Sequence, residues 1–317
     1  QDHAGTLRII VVDDHSSDGT AAAARAAAVA AGCGQRLTVI EARPLPAGWT
    51  GKLWAMREGI AAARAFDPDY LLLTDADIEH GRRELAGLVG RAEAGGYDLV
   101  SLMVRLNCRS LWERLLIPAF VFFFFKLYPP GWVADRRART AAAAGGCMLV
   151  RPAALDRIGG IDSIRGEIID DCALARRIKA GGAIWLGPTA DTHSIREYTS
   201  WRQIWDMVAR CAFAQLNYSA ALLALMVVGM GLLYLAPPLL LLTGTPLAML
   251  LGGVAWLAMA VASAPILRLY HCPAWIGLLL PLIATFYTAA TIASAVAFWR
   301  GRGGSWKGRL QAVTATR

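Results

Sequence analysis

Three apolar stretches close the chain, at about 220–243, 246–267 and 275–299. Each has roughly the 20 residues needed to cross the hydrocarbon core of a bilayer. The linkers between them are short, which makes them hairpins. They carry most of the excess behind an apolar content of 56% and a mean hydropathy of +0.42. Residues 1–200, in contrast, read as an ordinary soluble domain. The expected organisation is a soluble domain over 1–200, an amphipathic interfacial helix over 201–218, membrane helices over 219–300 and a basic tail over 301–317. Within the soluble domain, 111–130 is expected to be interfacial or re-entrant. Basic residues in the tail favour a cytoplasmic side. Three crossings would put that tail opposite the soluble domain. Either one segment is re-entrant, with Pro237-Pro238 as the obvious break, or the tail lies outside.

The net charge is +8. No basic stripe is interleaved with aromatic residues, so nucleic acid is not an expected partner. Basic residues beside apolar segments suit an anionic membrane surface instead. The six cysteines are scattered and form no C-x-x-C pair. A zinc site or a disulfide framework is therefore not expected, in keeping with a reducing cytosol. The chain opens at Gln1 and runs almost directly into a strand, so a further N-terminal piece is expected.

The first strand, Leu7–Val12, is a continuous apolar, β-branched run, the pattern of a strand buried on both faces. It ends in a polar turn beginning Asp13-Asp14. A helix over Thr20–Ala31, a strand over Leu37–Glu41 and a helix over Lys52–Phe66 follow. A third strand, Tyr70–Thr74, runs into Asp75-Ala76-Asp77; a helix over Glu84–Ala94 and a strand over Leu99–Leu106 come next. Strands alternating with helices predict an α/β, Rossmann-like domain with a mainly parallel sheet and ligands at the strand ends. Leu115–Tyr128, with Pro118 and Lys126 inside it, is too short to span comfortably. Asp171–Ala180 is helical, and Trp201–Tyr218 is amphipathic.

Two acidic clusters thus end strands, Asp13-Asp14 and Asp75-x-Asp77. Carboxylates one residue apart can hold a divalent cation through oxygen, and the cation would neutralise a diphosphate leaving group. An ordinary solvated turn is the competing reading. Asp170-Asp171 precedes a helix and reads either as a cap or as a base for an acceptor hydroxyl. Lys52 follows Gly51 at a helix start, facing either water or phosphates. His193 reads as a loop histidine or as a late metal ligand.

Taken together, VVDDHSSDGT at 11–20, GWTGKLWAMREG at 48–59, LLLTDADIEH at 71–80, GGCMLVR at 145–151 and IIDDCALARRIKAGG at 168–182 resemble the family 2 glycosyltransferases of GT-A fold. The resemblance implies a nucleotide-sugar domain followed by transmembrane helices. It implies that Asp13 and Asp14 hold the nucleotide base and that Asp75 and Asp77 hold Mg²⁺ or Mn²⁺ and the diphosphate. Asp171 would be the base, with Asp170 standing where the family usually has Glu. Lys52 would approach the nucleotide or its phosphates. Many lipid-directed members carry Q-x-x-R-W before their membrane helices. Here Gln203, Trp205 and Arg210 are present at another spacing, which speaks against processive synthesis; Arg210 is still a candidate for the diphosphate. A closer resemblance, through LMVRLNCRSLWERLLIPAFVFFFFKLYPP and IWDMVARCAFAQLNYS, is to the bacterial hopene-associated glycosyltransferases. It implies a hopanoid-related lipid acceptor. The expected donor is a UDP-sugar, and the catalytic domain is expected on the cytoplasmic side of a bacterial inner membrane. Two rival expectations remain: a polyprenyl-phosphate or polysaccharide glycosyltransferase, and a non-catalytic scaffold of the same fold.

Overall fold

The computed structural model describes residues 1–302 and, beyond them, the residue pairs 305–306 and 309–310. The rest of the basic tail expected over 301–317 lies outside the described residues. The chain divides into two compact units, one of Gln1–Val104 with Tyr128–Ser194, the other of Arg105–Leu127 with Ile195–Arg317.

The first unit is α/β. It begins β1 (Ile9–Asp13), α1 (Thr20–Ala30), β2 (Leu37–Glu41), α2 (Gly51–Ala63), β3 (Leu71–Thr74), β4 (Ile78–Glu79), α3 (Glu84–Gly95) and β5 (Leu99–Arg105). The chain then leaves for α4 (Leu111–Leu127) and returns with α5 (Pro130–Ala134), β6 (Cys147–Val150), α6 (Pro152–Arg157), α7 (Asp170–Lys179) and β7 (Ile184–Ser194). Strands β1 and β2 pair in parallel, from Ile9 opposite Leu37 to Asp13 opposite Glu41. A second sheet has the order β3-β6-β5-β7-β4. Strand β6 runs antiparallel to both β3 and β5, so those two are parallel to each other. Strand β4 is antiparallel to β7.

The α/β class is thus as expected, and the parallel sense holds where a helix makes the crossover, as α3 does between β3 and β5. The antiparallel ladders come from strands reached without such a crossover, β4 after a tight turn and β6 after the excursion through α4. Central β5 is buried from Leu99 to Val104, which is why its sequence is apolar without alternation. Helix α2 packs on β1, and a Cβ on Gly59 would already press on Val12 at 3.0 Å.

The second unit is helical: α4, α8 (Trp201–Ala209), α9 (Ala212–Gln215), α10 (Ala220–Met230), α11 (Ala236–Leu240), α12 (Pro246–Leu269) and α13 (Leu280–Trp299). Three stretches, Ala220–Leu240, Pro246–Leu269 and Ala274–Trp299, are long and apolar enough to cross a membrane, with 21, 24 and 26 residues. Pro237-Pro238 does not break the first of them. A π-helical turn, Gly231–Leu235, precedes the prolines, and the Ala236 N–H reaches back five residues to the Gly231 carbonyl. The helical path then continues through α11. Small residues let these helices meet closely: a Cβ on Gly252 would lie 2.5 Å from the Pro237 carbonyl oxygen.

The single amphipathic helix expected over 201–218 is two short ones. The Phe213 N–H bonds Ser294 Oγ of α13 at 3.1 Å instead of a carbonyl one turn back, and Asn217 and Tyr218 have positive φ. Helix α4 starts with a capping box. The Glu113 N–H bonds Ser110 Oγ at 3.2 Å, and the Glu113 carboxylate accepts the N–H groups of Ser110 at 2.8 Å, Arg109 at 2.9 Å and Tyr198 at 2.6 Å. Glu113 is 1% exposed, and these donors hold its carboxyl below the ordinary range although burial pushes it the other way. Replacing Glu113 by Ala strands three backbone donors. Thermal unfolding in detergent should show a loss of about 2–4 kcal/mol; an unchanged transition would mean that water replaces the carboxylate.

Candidate active site

The site begins with a helix cap. Thr50 precedes α2, and its hydroxyl accepts the Leu53 N–H at 3.3 Å. Lys52 therefore falls in the first turn of α2. The rest of the helix is clamped by Arg43, which holds the carboxylate of buried Glu58 through two bonds of 2.8 and 2.7 Å, while its carbonyl accepts Trp54 Nε1–H at 2.8 Å. From this fixed base the Lys52 ammonium reaches Asp75 at 3.3 Å and Asp170 at 3.2 Å. Asp75 ends β3, and Asp170 opens α7.

Asp171 lies beside that pair. Its Oδ1 accepts the Cys172 N–H at 2.7 Å, so it does satisfy a helix-start donor, and its Oδ2 accepts the Gly145 N–H at 2.8 Å. Each carboxylate oxygen keeps capacity for another donor. Gly145 is needed for this approach, because a Cβ there would lie 3.0 Å from Lys52 Nζ and 3.3 Å from Asp171 Oδ2. Gly145→Ala should push the lysine aside and lower turnover about 2–10-fold, with the fold retained, in steady-state assays. Wild-type rates would show that the lysine position is not critical.

The glycine segment is held from both sides. Buried Ser101 Oγ accepts the Ala144 N–H at 2.8 Å, and Thr74 Oγ1 donates to the Gly146 carbonyl at 2.8 Å. Thr74 then accepts His80 Nε2–H at 2.9 Å, which fits an imidazole that burial keeps neutral against the pull of Glu84. Asp77 Oδ2 accepts Ser194 Oγ–H at 3.2 Å, because β4 pairs with the end of β7 and sets Ile78 opposite Ser194. Thr189 and Thr192 of β7 both donate to Glu84 at 2.9 and 2.8 Å, fixing that strand to α3.

The charges are unequal in number. Three carboxylates surround one ammonium, and Asp77 adds a fourth nearby. Burial would weaken the ammonium of Lys52, but Asp170, then Asp75 and Asp171, outweigh it and hold the group above its usual range. Asp75 is raised by burial, with Lys52 opposing and Asp170 and Asp77 adding to the rise. Asp171 is pushed up to about 6, first by burial and then by the charge of Asp170; Lys52 and the two backbone donors oppose this. The excess of negative, oxygen-only groups fits a hard divalent cation. Among the described residues no set of three or more His, Cys, Asp or Glu is arranged to hold a metal. Two carboxylates from Asp75 and Asp77, completed by substrate phosphates and water, are nevertheless the kind of set that Mg²⁺ takes.

Lys52, Asp75, Asp170 and Asp171 are therefore brought together, with Asp77 adjoining. Asp13 ends β1 and turns the chain there, its Oδ1 accepting the Ser16 N–H at 3.0 Å, and Asp14 follows it. His193 stands opposite Glu79, with Nε2 3.6 Å from its carboxylate. Arg210 lies at the end of α8 in the second unit, its N–H on the Asp206 carbonyl at 3.1 Å. Four supporting groups, Thr50, Ser101, Thr74 and Ser194, have no signal in the sequence that separates them from other hydroxyls. Gly145 did have one, the glycine pair before a strand.

An α/β unit with acidic groups at its strand ends, on a chain with three candidate membrane spans, is an arrangement that suits a membrane glycosyltransferase. Residues 25–314 match the model of glycosyl transferase family 21, and the chain belongs to that family. No curated protein matches the chain.

Proposed function

We propose that this protein is an inverting glycosyltransferase that moves one sugar from a nucleotide-sugar to a lipid hydroxyl. The observation that carries the reading is the Lys52 ammonium, 3.3 Å from Asp75 and 3.2 Å from Asp170, with Asp171 alongside. A base, a phosphate-facing cation and a strand-end carboxylate are then within one donor's reach.

In this reading Asp13 and Asp14 hold the base of a UDP-sugar at the end of β1. Lys52 and Asp75 face the diphosphate, and Arg210 is a further candidate for it from the sequence alone. Mg²⁺ or Mn²⁺, held by Asp75 and Asp77, would neutralise the diphosphate charge that these carboxylates otherwise repel. Asp171 takes the proton of the acceptor hydroxyl, with Asp170 raising its proton affinity. The hydroxyl oxygen bonds to the anomeric carbon from the far face as the bond to the diphosphate oxygen breaks. One displacement inverts the centre.

The candidate spans support a lipid acceptor. The resemblance of LMVRLNCRSLWERLLIPAFVFFFFKLYPP to hopene-associated glycosyltransferases supports a hopanoid-related one, with the catalytic unit facing the cytoplasm of a bacterial inner membrane. The misfit to Q-x-x-R-W supports addition of a single sugar.

The test is transfer from a panel of nucleotide-sugars by full-length protein with Mn²⁺ and a hopanoid extract, followed by mass analysis of the lipid product. One added sugar on a hopanoid, lost on chelation with EDTA, is expected. A product on polyprenyl phosphate, or a ladder of sugars, would replace the acceptor reading. Absence of donor binding in folded protein would point to a scaffold.

A further inference from the structure

The segment from Pro129 to Thr140 of the catalytic unit is a built loop. Val133 is fully buried within α5. Lys179, at the end of α7, places its ammonium on three backbone carbonyls, those of Trp132 at 3.0 Å, Val133 at 2.8 Å and Thr140 at 2.6 Å. An ammonium has three donors, and all three are used to close this loop.

The closed loop presents an indole, three guanidinium groups and one carboxylate, Asp135, which accepts the Arg137 N–H at 2.9 Å. Trp132 is 62% exposed. Arg136, Arg137 and Arg139 are exposed as well. Among the described residues none of the three arginines forms an ion pair, whereas Arg43, Arg57, Arg64, Arg82, Arg151 and Arg157 all do. An indole prefers the headgroup layer of a bilayer, where its ring is half buried and its N–H wet. Clustered arginines beside it match anionic lipid phosphates. An acidic protein would answer the charges but not the indole. The loop also follows directly on the apolar run Phe122–Leu127 of α4 in the chain.

We propose that the 129–140 loop is a membrane-contact element of the catalytic unit, with Trp132 in the headgroup layer and Arg136, Arg137 and Arg139 on anionic lipid phosphates. Lys179 ties the loop to the C-terminal end of α7, the helix whose first turn carries Asp170 and Asp171. The loop then sets the height at which a membrane-borne acceptor meets the site.

The experiment uses full-length protein in nanodiscs of phosphatidylcholine, with or without phosphatidylglycerol. Lipids brominated near the top of the acyl chain serve as quenchers. The Trp132 signal is the difference between wild type and Trp132→Phe. Quenching of that signal in the anionic discs is expected. It should fall roughly fivefold or more on changing all three arginines to Gln, or in about 0.5 M salt. Two outcomes overturn the proposal. One is a Trp132 that stays open to aqueous iodide in both kinds of disc. The other is lipid quenching that ignores both the Arg→Gln changes and the salt. No donor or acceptor enters the measurement, so it stands apart from the fate of the glycosyl-transfer reading.

Discussion

Asp171→Asn should lower transfer by about 10²–10⁴-fold while leaving donor affinity nearly unchanged. The size follows from what the carboxylate is positioned to do. Its proton affinity is raised to about 6, which suits the proposed exchange of a proton with a hydroxyl near neutral pH. An amide cannot take that proton. Donor binding should survive because the groups facing the diphosphate remain, and one negative charge fewer repels it less.

Two further readouts separate chemistry from structure. The wild-type rate should rise with pH through an inflection near 6 as Asp171 ionises, and that limb should vanish in the residual activity of the Asn variant. Stability should move the other way. The native carboxyl holds its proton up to about 6, well above the ordinary aspartate value of 3.8. The resulting contribution is fully present below the unfolded pKa and is lost as pH rises through 6. The Asn variant removes this slope, although its amide leaves one of the Gly145 and Cys172 donors without an acceptor. Normal turnover in the Asn variant would rule out Asp171 as the base.

The second large effect concerns Lys52→Met. Without the ammonium, Asp75 and Asp170 lose their positive partner, and Asp171 loses the charge that opposes its raised proton affinity. A charge-assisted contact is worth about 1.5–3 kcal/mol, so kcat/KM should fall on the order of 10–100-fold, chiefly through KM for the donor. The acidic limb of the rate profile should shift to higher pH, since removing a positive charge favours the protonated acid. Lys52→Arg should restore the limb better than it restores KM, because a planar guanidinium keeps the charge but not the compact shape. Donor KM and pH profile both left at wild-type values would reduce Lys52 to a helix-start lysine.

Much of the fold was legible locally. The strand Leu37–Glu41 and the start of α3 at Glu84 fall where the apolar pattern and turn residues put them. The three spans announce themselves by length and composition. Strand β7 did not. It contains Gly187-Pro188 and the polar run Thr189-Ala190-Asp191-Thr192-His193, a pattern that argues against a strand. It forms because β4 supplies a ladder for its end and Glu84 accepts its two threonines. The helix expected over 201–218 failed for the same kind of reason, a Ser294 hydroxyl 81 residues away taking the Phe213 N–H.

The acidic clusters were readable one by one, because a carboxylate placed where an apolar strand stops is a local pattern. Their partners were not. Lys52 lies 23 residues before Asp75 and 118 before Asp170, and nothing in its own neighbourhood separates a phosphate-facing lysine from a solvated one. Gly145 was marked by its glycine pair, but why its missing side chain matters was not, because Asp171 and Lys52 arrive from two other elements. By itself, then, the sequence determined the α/β class, the apolar spans and which acidic residues could do chemistry, since periodicity, length and residue type are properties of short stretches. Only the tertiary structure decided that one ammonium sits between the strand-end and helix-start carboxylates and that burial raises the proton affinity of Asp171, since distance and burial depend on elements far apart in the chain.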